Sequence, residues 1–220
     1  MDVSTALKSR ISTRAFRPDP LPDGLVRDIL EVARWAPSGG NLQPWKVIAV
    51  AGAEKDAITA IARANPGADE AGERTVYPAN LWEPYRTRRF KIGEDMYALL
   101  DIPREDKPAR IRRYLENYRF FGAPVGLFFV IDRRMGHGQW AHLGMFMQSV
   151  ALAALERGVA SCMQEIWVNY RETLARHFGL PDEEMVYCGM ALGYADTTAP
   201  VNRLRSDRAP IDEFASFRGF

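Results

Sequence analysis

Three polar residues alternate near the amino terminus, in the segment Arg10-Ile11-Ser12-Thr13-Arg14. In an extended chain, residues i, i+2 and i+4 point to the same side, so Arg10, Ser12 and Arg14 face one object. Guanidinium groups bind oxyanions bidentately, and a hydroxyl group donates a further hydrogen bond. The pattern predicts a phosphate site, although a solvated edge strand with two surface arginines fits the same residues equally well.

A second polar segment runs from Ala36 to Trp45 and reads Ala-Pro-Ser-Gly-Gly-Asn-Leu-Gln-Pro-Trp. Its glycines let the backbone approach a ligand closely, and Ser38, Asn41 and Gln43 supply neutral donors and acceptors. Such a loop suits a heterocyclic ring with several polar edge atoms, such as a flavin or a purine. The alternative is an ordinary connection between a helix and a strand.

Two further groups of cations occur in the chain. Near the carboxyl terminus, Arg203, Arg205 and Arg208 offer charges that would close on the same phosphate. The other group consists of Arg86, Arg88, Arg89 and Lys91. It would attract an anionic group such as a carboxylate or a phosphate, but a solvated helix face is the favoured interpretation, because charged residues are mostly exposed.

Composition excludes several classes of protein. The 220 residues are 47% hydrophobic, and 29 Lys and Arg residues against 28 Asp and Glu residues give a net charge of +1. A chain this apolar can bury a core, and near-zero charge argues against a nucleic-acid binder. The apolar runs 125–131 and 150–155 are far shorter than the ~20 residues of a membrane span. We expect a cytoplasmic protein without a membrane or nucleic-acid partner.

The histidines and cysteines predict no metal site, because His137 and His142 lack a nearby cysteine or acidic ligand. Hydrophobic periodicity instead predicts alternating helices and strands, without repeats, in an α+β or α/β domain. Helices are expected from Asp2 or Ser4 to Lys8 and at 23–36, 54–64, 94–100, 106–120, 139–157 and 169–178. Strands are expected at 45–51, 124–132, 160–164 and 185–194, and the weakly patterned stretch 65–91 is expected to be a loop or lid.

Four motifs together resemble the FMN-dependent nitroreductase family, whose members are NAD(P)H:nitroaromatic or quinone oxidoreductases. They occur in the family's order and are Arg10-x-Ser12-x-Arg14, Ala36-Pro37-Ser38 with Asn41-x-Gln43-Pro44-Trp45, Met190-Ala191-Leu192-Gly193-Tyr194, and Arg208-x-Pro210. The resemblance implies an α+β, nitroreductase-like fold with a central mixed sheet flanked by helices. It also implies a homodimer that exchanges its C-terminal extensions and holds one FMN at each of two inter-subunit sites. Residues 1–220 would be one FMN-binding domain, with 65–120 a variable or lid region and 196–220 the dimer-wrapping tail.

The resemblance also implies a set of cofactor-binding residues. They are Arg10, Ile11, Ser12, Arg14, Pro37, Ser38, Gly39, Asn41, Gln43, Met163, Gln164, Glu165, Ile166, Arg205 and Arg208. Arg10, Ser12, Arg14 and Arg208, with help from Arg205, would hold the FMN phosphate. The loop residues would approach the ring from the other subunit. The segment 162–166 would face flavin N5, with Gln164 and Glu165 near the point of hydride transfer and no side chain assigned as catalytic.

The implied activity is two-electron transfer from NADH or NADPH to a nitroaromatic or quinone-like acceptor. Donor and acceptor would use one slot in turn, which predicts ping-pong kinetics. One alternative is a reductive dehalogenase or flavin-processing enzyme of the same superfamily, with 77–91 as the lid. The other is a flavin-binding module without turnover.

Overall fold

The computed structural model describes residues 1–70 and 76–220. The helices are α1 (Val3–Ser9), α2 (Leu25–Ala33), α3 (Gly52–Ala64), α4 (Tyr85–Leu99), α5 (Lys107–Leu115), α6 (His137–Glu156) and α7 (Arg171–Phe178). The strands are β1 (Lys46–Ala51), β2 (Val125–Asp132), β3 (Ala160–Gln164) and β4 (Glu184–Gly193). Short 3₁₀ turns lie at Gly39–Asn41, Glu116–Gly122, Glu165–Tyr170, Pro200–Arg203 and Ile211–Glu213. No helix in this part of the chain is long and apolar enough to cross a membrane.

The strands form one sheet in the order β1-β2-β4-β3. Although the expected sheet is mixed, every pair of neighbouring strands runs antiparallel. Within the described residues, parallel pairing is confined to an isolated bridge between Ser12 and Ser161. The amino-terminal segment adds this single bridge rather than a ladder, so the sheet keeps an antiparallel character.

Side chains of β2 alternate between two cores, one on each face of the sheet. Leu127 and Phe129 enter the core formed with α2 and α6, whereas Phe128 and Val130 enter the core on the opposite face. Both faces of β2 are therefore buried, and this explains why its sequence reads as a continuous apolar run. The two cores fix β2 and β4 as the central strands of the sheet, with β3 paired to β4 at its edge.

Helix ends follow the capping residues expected from the sequence. The Asp2 carboxylate accepts a hydrogen bond from Thr5 N–H and begins α1. Gly158 adopts a φ of 72° directly after the end of α6. This left-handed conformation is favourable for glycine and ends the helix there.

Two element predictions are wrong in their bounds. Helix α4 begins at Tyr85, inside the stretch expected to be a loop or lid, and part of that stretch, 71–75, lies outside the described residues. No residue of α4 is buried, so the helix has no apolar face that periodicity would detect. The helix expected over 106–120 ends at Leu115, and Phe120 and Phe121 follow with φ values of 53° and 54°. Both rings are buried in the core, and the backbone that places them there is not helical.

In the core on the face of the sheet opposite α6, two aromatic side chains pack directly against glycine residues of the strands. Trp167 is fully buried, and its ring packs against the backbone of Gly189 on β4. A Cβ atom at Gly189 would overlap the indole ring. Phe120 covers Gly126 on β2 in the same way. Both glycines are therefore required for packing, since their φ angles are ordinary.

We expect Gly189→Ala to destabilise the protein by about 1–3 kcal/mol, because the added methyl group overpacks the core against Trp167. Thermal denaturation should show a fall of roughly 2–4 °C in Tm for each kcal/mol. Gly67→Ala is the matched control, because a Cβ atom there meets nothing within 4 Å. Equal Tm values for the two variants would contradict the packing role of Gly189.

Candidate functional site

The amino-terminal segment Arg10–Phe16 is extended and bonded along both sides. On one side, Thr13 N–H donates to Ser161 O at 3.0 Å, next to the bridge between Ser12 and Ser161. On the other side, Asp196 N–H donates to Ala15 O at 3.0 Å. Arg10, Ile11, Ser12 and Arg14 are half-buried there, whereas Thr13 is buried. The sheet and the chain after β4 thus hold the alternating Arg-Ser-Arg pattern in place.

A buried amide completes this attachment. Asn202 Oδ1 accepts a hydrogen bond from Arg14 N–H at 2.8 Å, and its Nδ2 donates to Ala15 O at 2.7 Å and to Asp196 O at 2.8 Å. Asn202 is 8% exposed, so these bonds form away from water. Sequence reasoning missed this residue, because a single asparagine in a polar segment carries no recognisable signal.

Three guanidinium groups converge beside Ser12. Arg113 of α5 donates from Nη2 to Arg14 O at 2.8 Å. Burial, together with the neighbouring charge of Arg14, lowers the pKa of the Arg113 guanidinium. Burial raises the pKa of the Cys162 thiol next to Ser12, and the charges of Arg14, Arg113 and Arg10 act in the opposite direction. Arg113 is a second residue that the sequence analysis missed.

The carboxylate of Glu116 lies close enough to this cluster for its charge to oppose the lowering of the Arg113 pKa, but it forms no ion pair there. Within residues 1–70 and 76–220, neither Arg10, Arg14 nor Arg113 forms an ion pair with a carboxylate. Arg10 Nε is buried and has no hydrogen-bond partner among these residues. Like charges that are partly withdrawn from water repel one another, and a buried donor without a partner is costly. The chemistry of this donor set fits a phosphate dianion.

The tail arginines differ in their relation to the cluster. Arg205 Nη1 donates to Asn202 O at 3.0 Å, so it lies beside the amide that holds Arg14. Arg208 instead donates to Ser206 O and Ser206 Oγ, at 3.0 and 2.6 Å. Both side chains are exposed. Both guanidinium groups are thus bonded to carbonyl groups of their own turns, and Arg205 is the one that lies beside Asn202.

The loop 37–43 is shaped by its own hydrogen bonds. Ser38 Oγ accepts from Gln43 N–H at 2.9 Å, and Gln43 Nε2 donates to Asn41 O at 3.2 Å. Asn41 and Gln43 have φ values of 54° and 49°, a conformation that costs free energy in residues other than glycine. Pro37, Gly39, Asn41 and Gln43 are exposed. Strained backbone that presents amide groups at a surface is typical of a ligand-binding loop.

Helix α6 supports this loop through His142. Gly39 N–H donates to His142 Nδ1 at 3.4 Å, and a Cβ atom at Gly39 would lie 3.0 Å from His142 Cε1. In the described residues, no hydrogen bond joins the loop to the Arg10–Arg14 segment. The two polar segments predicted from the sequence are therefore held in place by different hydrogen bonds within the chain.

The carboxyl end of β3 carries the third group of candidate residues. Gln164 is buried and donates from Nε2 to Asn117 O at 2.6 Å, while its Oε1 is buried without a partner in the described chain. The Glu165 side chain is exposed, yet nearby protein atoms remove part of its hydration and raise the pKa of its carboxyl group. Met163 is half-buried and Ile166 is buried. Ser161, which pairs with the segment carrying the cation cluster, and Gln164 are three residues apart on β3. The cluster and Gln164 are therefore separated by about 10 Å along the strand.

Comparison with known proteins identifies the family. The Nitroreductase family model matches residues 7–194, and the chain belongs to this family. The resemblance expected from the four motifs, together with the α+β fold that it implies, is thereby confirmed.

Several relatives match over nearly their whole length. The chain is 38% identical to 4-nitrobenzoate reductase from Pseudomonas putida, covering 100% of this chain and 96% of the relative. It is 36% identical to chloronitrobenzene nitroreductase from Comamonas testosteroni, covering 98% and 96%.

Solved structures agree with the sequence matches. The FMN and NADPH-dependent nitroreductase NfnB from Sphigopyxis sp. strain HMH superimposes with a TM-score of 0.94, at 43% identity and full coverage of both chains. The FMN-dependent NfnB from Mycobacterium smegmatis, solved in complex with NADPH, gives a TM-score of 0.90 at 31% identity, covering 98% of this chain and 97% of that one.

We expect Asn202→Ala to lower the free energy of unfolding by about 1–3 kcal/mol, because it leaves the half-buried Arg14 N–H without its partner and removes one of the hydrogen bonds that Ala15 O accepts. Hydrogen exchange should also become faster at the amides of residues 13–16. Asn80→Ala, at an exposed position, is the control and should stay within about 0.5 kcal/mol of the parent protein. Unchanged exchange in Asn202→Ala would show that the amide does not hold this segment.

Proposed function

We propose that this chain is an FMN-dependent oxidoreductase that transfers two electrons from NADH or NADPH to a nitroaromatic or quinone-like acceptor. Family membership and the nitroreductases named among its relatives support this class of reaction. The observation that supports the assignment of FMN is the cluster of Arg10, Arg14 and Arg113 around Ser12, none of which forms an ion pair in the part of the chain that the structure describes. A half-buried group of cations with an unpartnered guanidinium nitrogen is stabilised by a bound phosphate.

Each residue of the cluster has a distinct role in this proposal. Arg10 and Arg14 bind the FMN phosphate through charge-assisted hydrogen bonds, and Ser12 donates a hydroxyl hydrogen bond beside the Ile11 backbone. Arg113 adds positive charge and holds Arg14 O, while Asn202 holds Arg14 N–H. Arg205 and Arg208 contribute further charge from the tail.

The carboxyl end of β3 serves the reacting end of the cofactor. When bound, FMN supplies the exchange of two electrons between donor and acceptor. Gln164 is held by Asn117 and keeps an unpartnered Oε1 for a polar edge group. The backbone of Met163, Glu165 and Ile166 lines the same end. Donor and acceptor occupy this place in turn, so the kinetics are ping-pong.

The complete site requires a second copy of the chain. The loop residues Pro37, Ser38, Gly39, Asn41 and Gln43 contact the ring bound by the partner subunit. Apolar side chains near this loop are exposed in the single chain, with Trp35 at 80%, Leu42 at 56% and Met145 at 48%. The tail residues Phe214, Phe217 and Phe220 are exposed as well, rather than packed on their own core. Burying these surfaces in a homodimer removes apolar area from water.

The proposal extends to the organisation and location of the protein. Residues 1–220 act as one FMN-binding domain, in which 65–120 is a variable or lid region and 196–220 wraps the partner subunit. The enzyme works in the cytoplasm on small aromatic acceptors.

We expect Arg14→Ala to raise the Kd for FMN by about tenfold or more, because a hydrogen bond between charged groups contributes roughly 1.5–3 kcal/mol. The measurement is quenching of flavin fluorescence on titration with the apoprotein. Arg63→Ala removes an exposed arginine of α3 and should leave the Kd unchanged. An unchanged Kd in a folded Arg14→Ala, Arg208→Ala double variant would refute the phosphate assignment.

We expect sedimentation of the FMN-loaded protein at micromolar concentration to give the mass of a dimer. Trp35→Asp should shift the protein toward monomer and weaken FMN binding, because it places a charge in the proposed interface. Trp35→Phe keeps an apolar ring and should remain dimeric. A stable monomer that retains FMN would sink the shared-site proposal.

A further inference from the structure

The first residue after β3 is an acidic residue without a partner. Glu165 follows Gln164 and begins a 3₁₀ turn that ends at Tyr170. Its neighbours Gln164 and Ile166 are buried, whereas its own side chain is exposed. Within residues 1–70 and 76–220, the Glu165 carboxylate forms neither an ion pair nor a hydrogen bond. A small molecule at the carboxyl end of β3 can therefore contact this carboxylate directly.

The surroundings of Glu165 favour the protonated form of its carboxyl group. Nearby protein atoms raise its pKa by removing hydration, and no hydrogen bond or opposite charge acts against this effect in the described chain. Hydrogen bonds instead lower the pKa of five other carboxyl groups, those of Asp2, Glu83, Glu94, Asp132 and Asp196. Glu165 thus keeps its proton to a higher pH than an ordinary glutamate does.

The turn that begins at Glu165 packs against β4 and α7. Burial and the charge of Glu165 raise the pKa of the Tyr187 phenol on β4. They also raise the pKa of the Cys188 thiol, against a hydrogen bond from the Gln164 backbone. Both groups are therefore uncharged at neutral pH and do not stabilise a carboxylate at Glu165 as a cation would.

The charged side chains of α7 are engaged elsewhere. The contacts are Arg171 with Val186 O, Glu172 with Arg133, Arg176 with Thr173 and His177 with Glu54. The loop 37–43, proposed to approach the ring from the partner subunit, contains no charged residue. Among the elements assigned to this place, no cation is thus directed at Glu165 in the part of the chain that the structure describes.

The reaction proposed for this chain consumes a proton in addition to a hydride. Reduction of a nitro group to a nitroso group takes up two electrons and two protons, breaks one N–O bond and releases water. The hydride, which the donor supplies through the cofactor, brings both electrons and one of the protons. The second proton has to come from an acid. A side chain that delivers it in the transition state increases the rate by roughly 10²–10⁴-fold.

We propose that Glu165 is this acid and donates its proton to the acceptor oxygen at the carboxyl end of β3. The O–H bond of the carboxyl group breaks, a new O–H bond forms on the acceptor, and one oxygen of the nitro group leaves as water. With a quinone, the same transfer completes a hydroxyl group and nothing leaves. The resulting Glu165 carboxylate is exposed and recovers its proton from solvent. The inference rests on the proposed function, since it assigns a catalytic residue to that reaction.

The test compares an acceptor that needs a proton with one that does not. The FMN-loaded protein, reduced anaerobically with stoichiometric dithionite, is mixed with nitrobenzene or with ferricyanide, which takes up an electron and no proton. Glu165→Gln should slow reoxidation by nitrobenzene about a hundredfold or more and leave reoxidation by ferricyanide unchanged. Glu165→Asp keeps a carboxyl group and should recover part of the rate. Glu183→Gln, at an exposed position before β4, should change neither rate.

The dependence on pH gives a second readout. Reoxidation of the parent protein by nitrobenzene should slow as the pH rises through the pKa of Glu165, because only the protonated carboxyl group has a proton to donate. This decrease should be absent in Glu165→Gln. The infrared spectrum of the oxidised, FMN-loaded protein reports the acid without turnover. The carbonyl band of a protonated carboxyl group should persist above the pH at which the other carboxyl groups are ionised, and it should be missing in Glu165→Gln.

The outcomes separate this inference from the proposed function. Equal losses with nitrobenzene and ferricyanide would assign Glu165 a structural role, and parental rates in Glu165→Gln would assign the proton to water. Either result, or the absence of the infrared band, overturns the inference and leaves the proposed function intact. Failure of the reduced parent protein to react with any nitro compound or quinone would refute the proposed function, and this inference with it.

Discussion

Repulsion between the guanidinium groups of Arg14 and Arg113, with Arg10 close by, is the constraint around which the amino-terminal half of the site is built. Their guanidinium groups are partly withdrawn from water around Ser12, so the protein must hold them together by other means. It does so through backbone bonds to β3 and through the three hydrogen bonds of Asn202. A ligand with two negative charges would relieve this repulsion. Because the repulsion is already present in the free protein, its relief would make the free energy of binding more favourable. In this respect the cluster resembles other preorganised anion sites.

The two cores give this arrangement its rigidity. Because β2 is buried on both faces, and β4 beside it, neither strand can move without disturbing α6 on one side or Trp167 on the other. Strand β3 is held against β4 over its full length. The cation cluster and Gln164 sit at opposite ends of this strand, and their separation is therefore set by the sheet. Loop 37–43 obtains comparable support from α6 through His142.

The parts of the fold that sequence predicts are those with strong local patterns. Strand β2 is apolar throughout because both faces are covered, and β3 is found at the predicted bounds. The last turns of helix α4 were predicted, as the helix at 94–100, but its first part was not, because no apolar stripe marks it and its ion pairs reach distant residues of the tail. In the site, the alternating Arg-Ser-Arg pattern was visible, since all its members are adjacent in sequence. Asn202 and Arg113 were not, because contacts across roughly a hundred residues or more define their roles.

Strand β3 also lies at the edge of the sheet, with β4 on one side and the segment Arg10–Phe16 on the other. That segment forms a single bridge with β3, so the outer backbone groups of the strand are shielded more by proximity than by pairing. Exposed strand edges template association between chains. Any event that loosens the amino-terminal segment therefore uncovers an aggregation-competent edge. The phosphate proposed to bind the arginines would hold this segment in place and so keep the edge of β3 covered.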